Sequence, residues 1–152
     1  ACWSELDLDA GLWMVPAERM KAGRTHVVPL SAPAVAVFKR AQELRRAGTD
    51  LVFPGTKRNR PLSDMTLLKV LRDMELPVTV HGFRSAFRDW AAEETSFAGE
   101  VAEAALAHAI PNKVEAAYRR TDFLEKRRKL MEAWGAYCSG RAGDVVRLVA
   151  AQ

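Results

Sequence analysis

Long apolar runs are missing from this sequence. Nowhere do the roughly 18 uninterrupted apolar residues of a membrane span occur. The start, "ACWSELDLDAG", has neither the basic residues nor the apolar block of a signal peptide. A cytoplasmic chain is the expectation. Cysteine is scarce as well: Cys2 and Cys138 stand near opposite ends, and two reduced thiols fit such a chain better than a disulfide. Three scattered histidines with no CxxC or HxxxH pair offer no metal-ligand spacing, so neither a metal nor a small-molecule cofactor is expected. Repeats, low-complexity tracts and interdomain linkers are also lacking. The 152 residues fit one domain able to bury a real core.

Charge is present, and its distribution matters more than the net +4. Basic clusters recur as "RMKAGR" (19–24), "KRAQELRR" (39–46), "KRNR" (57–60), "YRR" (118–120) and "EKRRK" (125–129). Such clusters are often only solvated helix faces, but together they make an anionic polymer a candidate partner.

Periodicity predicts an α+β, mainly helical chain with a small antiparallel sheet near its start. Leu12 to Val15 and Val27 to Leu30 read as two strands joined by a polar segment containing Gly23. This places Lys21 at or near the turn of a hairpin. Ser31 is expected to cap a helix bearing Val35, Phe38, Ala41 and Leu44 and stopping at Gly48. Ser63 is expected to cap another, striped by Leu67, Leu68, Leu71 and Met74 and ended by Pro77. In "HGFRSAFRDWAAEE", Phe83, Phe87 and Trp90 mark a buried helix face, while Arg84 and Arg88 share a different one. "AGEVAEAALAHA" reads as an Ala-rich helix closed by "IPN". A final helical run continues to Gly140, broken near Thr121–Asp122.

Only two tyrosines occur, and one, Tyr118, directly precedes Arg119 and Arg120. A tyrosine with an ordinary pKa of about 10 is a poor nucleophile toward a phosphodiester unless a base or cations assist it. The transition state gathers charge on non-bridging oxygens, which the arginine fork matches, and a lysine can protonate a leaving 5′ oxygen. The chain offers candidates for most of these roles in Lys21, His81 and Arg84 of "HGFR", His108 of "ALAHA", and Tyr118. Singly, each has a plainer reading as a turn lysine, a core histidine or a packing tyrosine.

Taken together, "WSELDLDAGLWMVPAERMKAGRTHVVPLS", "TVHGFRSAFRDWAAE", "ALAHA" and "VEAAYRRTDFLEKRRKLMEAWGAYCSG" resemble the catalytic domain of tyrosine recombinases, the phage-integrase family. The resemblance is strongest to integrases of satellite phages and genomic islands, and it spans about residues 3–140. It implies the DNA breaking–rejoining enzyme fold and a catalytic set of Tyr118, Arg84, His81, His108 and Lys21. In it, Tyr118 attacks the scissile phosphate to give a 3′-phosphotyrosyl link, and Arg84 holds the non-bridging oxygens. Lys21 protonates the leaving oxygen, His81 assists proton transfer, and His108 bonds the phosphate. Implied partners are double-stranded DNA at attachment sites and other integrase protomers. Arg19, Arg24, Lys57, Arg58, Arg60, Arg88, Arg119 and Arg120 are the candidate DNA contacts.

The pattern departs from the family in two places. An earlier catalytic arginine and an amino-terminal DNA-binding arm have no match here. Residues 1–152 are therefore expected to be a carboxy-terminal catalytic fragment, inactive or nearly so alone; robust cleavage of a nicked suicide substrate by it would contradict this. Where many relatives have glycine before the histidine, this chain has Ala107, expected to be tolerated inside a helix. Two other readings stand beside recombination: a type IB topoisomerase-like nicking–closing enzyme, and a non-catalytic DNA-binding relic of a prophage integrase. The tail "DVVRLVAAQ" reads as core packing or as a contact with a neighbouring protomer.

Overall fold

A computed structural model of the chain describes residues 1–57, 59–108 and 122–140. Strands β1 (Leu6–Asp7), β2 (Leu12–Val15) and β3 (His26–Pro29) form an antiparallel sheet in the order β1-β2-β3. Trp13 stands opposite Val28 and Val15 opposite His26. The expected pair of strands is present within one residue of its expected bounds. The two residues of β1 are too few to show a period. Asp7 tightens the β1–β2 turn by accepting the Ala10 N–H through Oδ1 at 2.8 Å. The β2–β3 connection carries a 3₁₀ turn, Ala17–Arg19, and Gly23 at φ +62°, a left-handed conformation that glycine adopts without strain.

Helix α1 spans Ala32–Glu43 and has Pro33 in its first turn. Ser31 occupies the N-cap position, but its hydroxyl makes no cap bond. The Ala32 N–H instead donates to Glu132 Oε1 at 3.0 Å, a residue of the last helix. Ser31 is buried against Gly135, where an added Cβ would lie 2.5 Å from Ser31 Oγ. A close helix–helix approach has taken the place of a local cap. Ala41 is buried and Phe38 packs beside it with Trp3, Val52 and Leu6. Leu44 departs from the expected stripe: it is the C-cap residue and is 80% exposed.

Helix α2 (Met65–Asp73) is capped by Asp64, whose Oδ1 accepts the Met65 N–H at 2.9 Å; Ser63 Oγ takes the same donor at 3.3 Å. Its expected stripe is only partly covered. Leu68 and Leu71 are half-buried, whereas Leu67 and Met74 are exposed.

Helices α3 (Gly82–Glu93), α4 (Gly99–Ala105) and α5 (Leu124–Cys138) enclose the main core. Phe87, Trp90 and Ala91 of α3 meet Val101 and Ala102 of α4 and Leu130 of α5. Trp134 packs edge-on to Phe87, with centroids 5.4 Å apart. The expected face of α3 holds at Phe87 and Trp90, but Phe83, one turn earlier, is exposed. Phe123, with φ +57°, leads directly into α5; the helical run and break expected ahead of it fall largely outside the described residues. Both cysteines are free thiols. No helix among the described residues is long and apolar enough to cross a membrane.

Candidate active site at the α3–α4 junction

The α3 face beside the buried one carries His81, Arg84 and Arg88, all exposed. His81 is the N-cap residue of α3, and its carbonyl accepts the Arg84 N–H at 3.0 Å. The preceding Thr79 fixes the entry by accepting the Gly82 N–H through Oγ1 at 3.1 Å. Arg84 then crosses to α4: its Nη2 donates to the Leu106 carbonyl at 2.7 Å. Arg88, one turn on, pairs through Nε with Glu103 Oε1. The two arginines thus bridge α3 to the end of α4.

How α4 ends determines where His108 goes. Ala107 has φ +54°, its N–H bonds Ala104 O at 3.1 Å, and the His108 N–H bonds Glu103 O at 3.0 Å. This pair of bonds is the Schellman motif, with Ala107 at the left-handed position after the helix and His108 next. The expected helix therefore stops before the histidine, and Ala107 lies outside it. The motif brings the residue after the left-handed one back over the residue five before it. His108 accordingly meets Glu103 side chain to side chain, with Nδ1 and Oε2 2.6 Å apart. His108 is 42% exposed at its side chain, so it is a surface histidine rather than a core one. Glu103 is held below the usual carboxylate range, first by Arg88 and then by His108.

A non-glycine residue in the left-handed region costs about 1–2 kcal/mol. Nothing about Ala107 except its backbone satisfies the motif. Ala107→Gly is therefore expected to raise unfolding stability by about 1 kcal/mol, measured by urea denaturation. Unchanged or lower stability would refute the left-handed assignment.

The sheet approaches the same corner. Burial pulls the His26 pKa below its ordinary value, the nearby Arg127 adds to this, and a bond to the Ala105 backbone opposes it. His26 on β3 is therefore beside Ala105, one residue from the carbonyl that receives Arg84. Arg127, 1% exposed, spans from α5 to the sheet: Nη1 donates to Val27 O at 2.7 Å, Nε to Asp122 O at 2.7 Å, and Nη2 to Asp122 Oδ2 at 3.0 Å. The expectation that the 125–129 cluster as a whole is a nucleic-acid face is corrected here. Arg127 is interior and fully engaged, because it shares the α5 face of Leu130 and Trp134.

His26 makes the fold acid-sensitive. Because its pKa is lower folded than unfolded, the unfolded chain takes up the proton first. The stability that His26 contributes is complete above about pH 6.5 and is lost as pH falls below it. Wild-type protein is expected to lose more stability between pH 7.5 and 5.5 than His26→Gln, by denaturant titration at each pH. Equal losses would contradict the burial of a neutral ring.

The remaining candidates are dispersed. Lys21 and Arg24 are exposed in the β2–β3 connection, and Lys57 and Arg60 in the 53–62 loop. Arg19 is engaged, donating to Glu5 Oε2 at 2.7 Å beside the Trp13 indole, which donates to the same oxygen at 3.0 Å. Arg58, Tyr118, Arg119, Arg120 and the tail 144–152 lie outside the described residues. Sequence reasoning had missed Glu103, His26 and Arg127. Arg127 alone left a signal, its helical phase with Leu130 and Trp134.

The α3–α4 junction thus carries two arginines, one bonded to the Leu106 carbonyl and one paired with Glu103, beside an exposed histidine. The Phage integrase family profile matches residues 1–125, and the chain belongs to that family. It is 40% identical over 137 residues to the prophage integrase IntA of Escherichia coli K12, covering 88% of this chain and 33% of that protein. It is 30% identical over 170 residues to the integrase of Enterobacteria phage P4, covering 100% of this chain and 38% of that protein. It is 34% identical over 133 residues to the prophage integrase IntZ of E. coli K12, covering 86% and 32% respectively. The chain thus spans about a third of the length of these relatives. No solved structure gives a significant match.

Proposed function

We propose that the chain is the catalytic part of a site-specific DNA recombinase that cleaves and rejoins strands through a 3′-phosphotyrosyl intermediate on Tyr118. The observation that supports this is the bond from the Arg84 guanidinium to the Leu106 carbonyl, two residues before His108 in the chain. Names of relatives such as prophage integrase support the same reading.

In this mechanism the DNA phosphate sits against Arg84, whose unused N–H donors face its non-bridging oxygens. His108 offers its free ring edge to the same group, and His81, on the first turn of α3, assists proton transfer at the tyrosine. Tyr118 attacks phosphorus, the bond to the 5′ oxygen breaks, and Lys21 supplies that oxygen with a proton. A 5′ hydroxyl from a partner strand reverses the step, so the phosphodiester energy is retained in the tyrosyl link. Tyr118 precedes Asp122 by four residues, a tether of at most roughly 14 Å, and Arg127 fixes Asp122 to β3. That tether ends beside the sheet whose hairpin bears Lys21.

Arg24, Lys57, Arg58, Arg60, Arg119 and Arg120 supply phosphate contacts along attachment-site duplex, with further protomers on the same DNA, whereas Arg88 is held by Glu103. Arg19 shares its charge with Glu5. Such binding weakens steeply with salt. The reaction is proposed to take place in the cytoplasm.

The test is covalent trapping on a nicked suicide substrate by the intact protein. Wild type and Tyr137→Phe are expected to give a detergent-stable protein–DNA complex, and Tyr118→Phe none. Undiminished complex from Tyr118→Phe would reject the assignment.

A further inference from the structure

We propose that Glu103 is a positioning residue, setting which ring nitrogen of His108 faces the DNA; this rests on the reading of His108 as a phosphate-binding group. Nδ1 of His108 lies 2.6 Å from Glu103 Oε2, so the carboxylate, acceptor-only when ionised, takes the Nδ1–H. The proton is thereby kept on Nδ1, and Nε2 is the edge left for a ligand. A partner on one imidazole nitrogen determines the state of the other. The opposite carboxylate oxygen is bound by Arg88 Nε, so Glu103 cannot swing away from the histidine without leaving an arginine unpaired.

Backbone geometry enforces the same arrangement. The 6→1 bond from His108 N to Glu103 O fixes the two residues as a pair, and the side-chain contact replaces the apolar one that usually accompanies this motif. Charged and titratable groups surround the pair on two sides. Arg88 of α3 binds Glu103 and Arg84 binds the nearby Leu106 carbonyl, while His26 of β3 and Arg127 of α5 lie beyond Ala105. Glu103 is the acidic group among these that joins the cation on α3 to the ring on α4. A simple surface ion pair between helices would need only Arg88; the second oxygen on His108 is what adds orientation.

Ring nitrogen-15 spectra of His108 in the intact protein, with wild type, Glu103→Gln and Glu103→Ala compared, provide a test that does not depend on catalysis. Wild type is expected to show a protonated Nδ1. The glutamine variant, whose amide oxygen still accepts, largely keeps it, and the alanine variant shifts toward the Nε2–H tautomer. Covalent-complex formation is expected to fall roughly 10–100-fold in Glu103→Ala, as for other residues that orient a reacting ligand, and to recover in part in Glu103→Gln. Melting temperature should barely move, because a half-exposed pair contributes little. An unchanged His108 tautomer in Glu103→Ala, or cleavage within twofold of wild type, would overturn the proposal. Should wild type form no covalent complex at all, the recombinase reading fails, while the ring spectra still decide whether Glu103 controls His108.

Discussion

Arg84→Ala in the intact protein is expected to slow formation of the phosphotyrosyl complex by about 10²–10³-fold, the effect of removing one preorganised donor from a developing oxyanion. The basis is geometric. Arg84 sits in the first turn of α3, and one of its N–H groups is committed to the Leu106 carbonyl at 2.7 Å. That bond holds the planar guanidinium in place, so its other donors need no reorganisation when charge builds on phosphate. Lysine cannot reproduce this arrangement: a flexible point charge that bonds Leu106 O has no fixed fork left for two oxygens. Arg84→Lys should therefore recover only a small part of the loss. Non-covalent DNA affinity, spread over many cations, should change far less than the rate. Single-turnover trapping and equilibrium binding at one salt concentration separate the two. A rate within a few-fold of wild type would remove Arg84 from the chemistry.

The second large effect concerns stability. Arg127→Ala is expected to cost about 3–5 kcal/mol, with roughly 1–3 kcal/mol for each of two acceptors stripped of its donor and a further contribution from the void. The acceptors are Val27 O and Asp122 O, each 2.7 Å from the guanidinium. Asp122 itself is 62% exposed at its side chain and can recover water, so the carboxylate contributes least. Against a usual total of about 5–15 kcal/mol, this loss leaves the domain marginal at growth temperature. Arg127→Lys should rescue little, since one ammonium cannot reach Val27 O and both Asp122 oxygens together. Arg127→Met, which fills the volume without bonding, should fall between lysine and alanine or match them. Urea unfolding of the four proteins measures the series. A loss below about 1 kcal/mol in the alanine variant would mean that the three bonds are not formed together.

Much of this fold could be read from residue type. Strands β2 and β3 declare themselves through Trp13, Val15, Val27 and Val28, and the core of α3 through Phe87 and Trp90. Helix α5 begins at Leu124, two residues past the break expected near Thr121–Asp122. Other parts depend on contacts that no local pattern carries. The cap of α1 comes from Glu132, a hundred residues downstream, so Ser31 looked sufficient. The end of α4 is hidden in an alanine-rich run because alanine occupies a position where glycine would have announced the stop. Arg127 was concealed by charged neighbours, although its phase matched Leu130. The stripe on α2 was real as a pattern, yet Leu67 and Met74 are exposed, since periodicity states which residues share a face and not what lies opposite.

The site was legible in the same uneven way. Arg84 and His108 were picked by their chemistry and by resemblance, and the α3–α4 junction joins their segments. Glu103 was invisible, because pairing at a separation of five follows from the left-handed residue between and not from helical spacing. His26 required the sheet and α4 to meet, which only the tertiary fold brings about.

The central claim is that the phenol of Tyr118 becomes covalently joined to DNA. Its most direct test is to trap the intact protein on a suicide substrate, digest both components and identify the nucleotide-bearing peptide by mass spectrometry. The chain has two tyrosines, so the outcomes are separable: the adduct is expected on the peptide containing Tyr118. An adduct on Tyr137, on a serine, or on no residue of this chain would contradict the claim.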